Sequence, residues 1–106
     1  MRVLFDQGTP VPLRNTLAGH SVSTAYELGW ATLKNGDLLG SAEESGFEIL
    51  ITTDTNLRYQ QNLAERRIAV VVLSTTSWPR IRGAVEHVAS AVNSISAVGY
   101  VEVTIP

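Results

Sequence analysis

Cysteine is missing from the 106-residue chain. That absence excludes a disulfide framework, a zinc–thiolate site and a dithiol redox pair, and it suits a reducing compartment. Long apolar runs are missing too. None approaches the roughly 18 residues that a spanning helix needs, and MRVLFDQG meets its first acid too early to hold the apolar core of a signal peptide. The expectation is a soluble, cytoplasmic protein with no membrane contact. Nor is there an excess of positive charge. The net charge is −2, so no bulk cationic field exists to drive non-specific nucleic-acid binding. An RNA partner would need a local basic patch.

What remains describes a compact globular protein, with 44% hydrophobic and 17% charged residues. The length suits one domain, residues 1–106, able to bury about two thirds of its unfolded surface. No internal repeat, linker or low-complexity tract divides it.

RVLF is a short apolar run ended by Asp6, Gln7, Gly8 and Thr9, which reads as a buried strand entering a turn. PVPLRNTL can start a short helix, because proline is tolerated in a first turn. HSVSTA alternates like a second strand, and AYELGW reads as a brief helix stopped at Gly29. In KNGDLLGSAEESG, Asn35 can cap and Asp37 favours the first turn. Leu38, Leu39 and Ala42 share one face there, and Gly46 suits the position just past the end. FEILITT follows as a strand, NLRYQQNLAER as a short helix or loop, and RIAVVVLS as the most apolar strand. From Pro79 onward, Ile81, Ala84, Val85, Val88, Val92 and Ile95 recur at helical spacing. GYVEVTI alternates and predicts a closing strand at a sheet edge. Strands alternating with helices predict an α/β fold, a three-layer α/β/α domain around a mostly parallel sheet of about five strands.

In such a sheet, functional groups collect beyond the carboxyl ends of the strands, at a topological switch point. Asp6 directly follows the first strand and Asp54 directly follows FEILITT. If those strands are neighbours, both carboxylates come within reach of one ion. Clustered carboxylates repel each other, and a hard cation such as Mg2+ or Mn2+ relieves that repulsion. Such a metal lowers the pKa of a bound water and stabilises charge building on a phosphate. An aspartate at a strand end also commonly takes backbone hydrogen bonds in a turn or caps the next helix, so spacing alone leaves both roles open.

The segments VLFDQGTPVPLR, GHSVSTAYELGW, LKNGDLLGSAEESGFEILITTDTNLRYQQNL and RRIAVVVL together resemble small, compact PIN-like domains, over about residues 2 to 73. These bacterial proteins are related to the PIN nucleases, and many are toxins of toxin–antitoxin pairs. The resemblance implies metal-dependent hydrolysis of RNA by an activated water, a Mg2+ or Mn2+ cofactor, a cognate antitoxin and a homodimer. On the family pattern Asp6 and Asp54 are the catalytic, metal-ligating acids. Relatives often carry an aspartate where Asn35 stands here, with Asp37 two residues on, and a second late acid where this chain has Asn56. An amide ligates through its carbonyl oxygen without adding charge, so the cluster holds two full negative charges and should bind Mg2+ less tightly. Asn35 or Asp37 would complete the shell, and Glu27 is a further acid within reach.

Around that site, Thr53 could contact a phosphate or a metal-bound water, although β-branched residues also simply favour strands. Arg58 could clamp a phosphate by paired hydrogen bonds, and Lys34, Arg14 and Asn56 lie near the same rim. Tyr59 could stack on an unpaired base or pack against the adjacent strand. Trp30 and Trp78 read as core or interface anchors, and His20 and His87 are lone histidines without a catalytic partner nearby. Three functional readings follow. One is a metal-dependent endoribonuclease, the second a catalytically weakened PIN-like binding or regulatory module, and the third an α/β domain that associates through its GYVEVTI edge.

Overall fold

The computed structural model of the protein describes residues 1–63, 66–95 and 99–106. Five strands form one sheet: β1 (Arg2–Phe5), β2 (Ser21–Thr24), β3 (Ile49–Thr52), β4 (Ala69–Leu73) and β5 (Tyr100–Val103). Every pairing is parallel, and the order is β2-β1-β3-β4-β5. Parallel sheets are buried on both faces, and the side-chain alternation shows it. Val3, Phe5, Ile49, Ile51, Val71 and Leu73 enter one core, while Leu4, Leu50, Val70 and Val72 enter the other. The α/β/α expectation and the closing edge strand both stand.

The first core is roofed by a 3-10 turn at Val11–Thr16 and by two helices, here numbered α3 (Trp78–Arg82) and α4 (Val85–Ser94). The second lies under α1 (Asn35–Glu44) and the short α2 (Leu57–Gln60). Leu38, Leu39 and Ala42 are the buried face of α1. Gly46 follows its C-cap with φ of +83°, a conformation that costs other residues a Cβ clash. Asn35 does not cap the helix: Lys34 occupies that position and the Asn35 side chain reaches elsewhere. AYELGW is a run of turns rather than a helix, ended by Gly29 at φ +75°. The helical spacing after Pro79 is split between Arg82 and Val85, where the backbone of Ala84 leaves helical geometry. Ala64 and Glu65 of the expected NLRYQQNLAER element lie outside the described residues; among the described ones its helical part is α2.

One connection was not foreseeable. The crossovers from β3 to β4 and from β4 to β5 advance in the same direction across the sheet. The first passes over the face covered by α2 and the second over the face covered by α4. They therefore have opposite hands, although about 98% of parallel crossovers share one. What positions the site is at the other end of this order. The chain direction across the sheet reverses between β1 and β3, which are direct neighbours.

Candidate functional site

The register sets Val3 beside Ile49 and Phe5 beside Ile51. Asp6 is thus level with Thr52, and Asp54 stands two residues further along. The ladder continues one step beyond the strand, because the Asp6 N–H donates to the Ile51 carbonyl at 3.2 Å. Both aspartates are half-buried at the carboxyl ends of adjacent parallel strands, the place where open sheets of this kind bind ligands.

Thr52 joins them. It is 1% exposed, and its hydroxyl donates to Asp6 Oδ2 while accepting the Asp54 backbone N–H at 3.0 Å. The other Asp6 oxygen, Oδ1, faces the buried Thr9 hydroxyl at 2.6 Å, which also lies 2.9 Å from the Ile51 carbonyl. Asp54 is held at both oxygens as well. Oδ1 accepts the Asn56 backbone N–H at 2.9 Å, and Oδ2 accepts the Asn35 amide at 2.7 Å. Asn35 also donates to Gln60 at 3.1 Å, so the start of α1 and the end of α2 are tied together over Asp54.

The remaining residues expected at the site distribute as follows. Asn56 contributes its backbone N–H, with its side chain exposed. Asp37 is exposed on the first turn of α1 and has no side-chain hydrogen bond to either aspartate among the described residues. Thr53 stands against the loop after β1, where a Cβ built on Gly8 would fall 2.6 Å from the Thr53 hydroxyl. Gly8 is therefore required by close approach and not by a left-handed turn. Lys34 is exposed at the mouth of α1, without an ion pair among the described residues.

Arg58 turns toward the β5 edge. It pairs with Glu102 at 3.3 Å and lies over the rings of Tyr59 and Tyr100 at 4.7 and 5.9 Å. Tyr59 does not pack against a strand; it is 71% exposed. Glu27 is engaged by Arg14 and by the Thr24 backbone N–H, which hold its carboxyl below the ordinary glutamate range. It lies beyond β2, separated from Asp54 by β1.

Sequence analysis singled out neither Thr9 nor Thr52 for the site. A hydroxyl directly after an apolar strand carries no local mark of a role, because its partner is 46 residues away. The fit to a metal follows from the donor set. Among the described residues each aspartate oxygen has one donor, and a carboxylate oxygen has two lone pairs. No group of three or more acids and histidines converges among the described residues. Mg2+ commonly keeps several waters and takes only one or two carboxylates. The residues fit such a hydrated hard cation and do not form a closed cage. Asn35, whose amide nitrogen faces Asp54, positions that acid.

No family model, curated protein or solved structure matches the chain. The PIN-like resemblance is therefore carried only by the motifs quoted above.

Proposed function

We propose that the carboxyl ends of β1 and β3 form the metal site of a PIN-like, Mg2+- or Mn2+-dependent endoribonuclease. The observation that supports it best is the Thr52 bridge, which ties the Asp6 carboxylate to the backbone of Asp54 at the point where the sheet order reverses. Asp6 and Asp54 would hold the cation, and there it would supply a water of lowered pKa and neutralise charge on a scissile phosphate. Thr52 and Thr9 orient Asp6, and Asn35 with the Asn56 N–H orients Asp54, and each carboxylate oxygen would keep a lone pair for the cation. Thr53 and Lys34 flank the entry. Arg58 would need to exchange Glu102 for phosphate before it could clamp a substrate.

A second reading has one observation in its favour. With no third acid converging among the described residues, the scaffold would keep cation or RNA binding without cleavage and serve as a regulatory module. The resemblance extends the proposal to a cognate antitoxin and a homodimer, for which the free edge of β5 offers strand addition.

Mn2+ titration by calorimetry on the wild type and on the Asp6→Asn, Asp54→Asn double variant tests the site, followed by cleavage of single-stranded RNA with and without metal. Binding that disappears in the double variant, with metal-dependent cleavage, supports the nuclease. Binding without cleavage selects the regulatory module. No binding at millimolar Mn2+ sinks both metal readings.

A further inference from the structure

On the far side of Asp6 from Asp54, the ends of β1 and β2 enclose a cavity of about 410 Å³. Its size falls in the range of small-molecule sites, about 300–1,000 Å³. Two of the most exposed apolar side chains of the described residues line it, Tyr26 at 75% and Val11 at 53% exposure. Such exposure of a large ring contributes little to the core, and its place in a cavity makes it available to a ligand.

Tyr26 is held there by its neighbours. In the segment Thr24-Ala25-Tyr26-Glu27, the Thr24 N–H donates to Glu27 Oε1 at 2.9 Å and the Glu27 N–H donates to Thr24 Oγ1 at 3.1 Å. This is the reciprocal arrangement of a capping box, used here to lock a turn instead of a helix. The Arg14 guanidinium reaches the same Oε1, so Glu27 Oε2 has no donor among the described residues. Gln7 lies at the cavity with an exposed side-chain amide.

The polar lining is thus weighted toward acceptors. Asp6 and Glu27 are carboxylates that only accept, while the hydroxyls and the Gln7 amide can both donate and accept. A phosphate would meet the Asp6 charge in the cavity itself, Glu27 being paired with Arg14. A flat, uncharged ring with several N–H donors along one edge is complementary. Guanine has that edge, with N1–H beside its exocyclic amine; adenine has only the amine, and uracil has two carbonyls around its single N–H.

We propose that this cavity takes one unpaired guanine base, stacked on Tyr26 and donating N1–H and the exocyclic amine to Glu27 Oε2 and the Gln7 carbonyl. As a subsite beside a scissile phosphate it rests on the nuclease reading above, whereas capture of the base itself needs no metal.

The test uses guanosine, adenosine, cytidine and uridine, uncharged probes that avoid the carboxylates' repulsion, titrated in EDTA into 15N-labelled protein. Guanosine should shift the amides of Gln7, Thr24 and Glu27 saturably, and the other three nucleosides should bind several-fold more weakly. Because Tyr26 is exposed, Tyr26→Ala should leave the fold intact and weaken guanosine on the order of tenfold, as loss of a stacking platform does. Glu27→Gln keeps an oxygen for the turn and should erase the preference for guanosine. No nucleoside moving these amides, or binding unchanged by Tyr26→Ala, overturns the pocket. Equal binding of all four overturns the guanine assignment. Guanosine capture without Mn2+ binding would leave the pocket standing while the nuclease reading fails, and the converse separates them in the other direction.

Discussion

Replacing Thr52 with valine removes one hydroxyl and keeps the side-chain shape, so it isolates the bridge between the two aspartates. The hydroxyl is buried, it donates to a carboxylate, and it accepts a backbone N–H. A hydrogen bond to a charged group contributes about 1.5–3 kcal/mol, and a buried donor left unpaired costs about 1–3 kcal/mol. Asp6 and Asp54 are half-buried and regain some water in the variant, which lowers the sum to about 2–4 kcal/mol. Thr52→Ser keeps the hydroxyl and loses one methyl group, a cost of about 1 kcal/mol. Urea unfolding reads the difference directly. At a slope of about 2 kcal/mol per molar, a 3 kcal/mol loss moves the midpoint by about 1.5 M. On the proposed metal reading, the valine variant should also bind Mn2+ more weakly than the serine variant, because Asp6 Oδ2 has lost its orienting donor. A valine variant within about 0.5 kcal/mol of wild type, or a serine variant less stable than the valine, would refute the bridge as the element that holds the site.

Three other outcomes are expected. Gly8→Ala should cost about 1–3 kcal/mol by overpacking against the Thr53 hydroxyl, and adding Thr53→Ala should recover most of it in the same urea assay; failure to recover would mean that the loop backbone sets the cost. Burial alone would raise the carboxyl of Glu43, but the Arg67 N–H at 2.7 Å and the Arg66 guanidinium at 2.8 Å hold it below the ordinary 4.5. Its contribution is complete above that ordinary value and fades as pH falls through the lower folded value, so wild type should lose stability on acidification more steeply than Glu43→Gln. Tyr100 is pushed up to about 12 by burial and by its 2.7 Å bond to the Glu102 carboxylate. Absorbance titration should show one phenol ionising near pH 12, shifted down in Glu102→Gln, and the stability that this phenol contributes should be lost as pH rises from about 10 toward that value.

Much of the fold could be read locally. RVLF, FEILITT and RIAVVVLS read as strands from their apolar runs alone, and β1, β3 and β4 lie there with their apolar residues divided between the two cores. Gly46 marked the end of α1 because few other residues tolerate its backbone angle. Other elements misled for physical reasons. AYELGW has helical composition, yet the Thr24–Glu27 box closes it as a turn that Gly29 ends. Asn35 has the chemistry of a cap but spends its amide on Asp54 and Gln60, because α2 lies beside it in the folded chain. Arg58, four residues from Asp54, faces the opposite way because Tyr59, Tyr100 and Glu102 offer stacking and charge on the β5 side.

The sequence by itself determined that each of two aspartates follows an apolar strand, that no thiol chemistry is available, and that strands and helices alternate. These are properties of short segments, set by side-chain polarity and backbone preference. Only the tertiary structure decided that β1 and β3 are neighbours, that Thr52 joins Asp6 to Asp54, and that Tyr26 stands over a cavity at the end of β2. Strand order is a choice among pairings of comparable local quality, settled by how two apolar faces are covered at once. The candidate site depends on that choice, which placed two distant strand ends side by side.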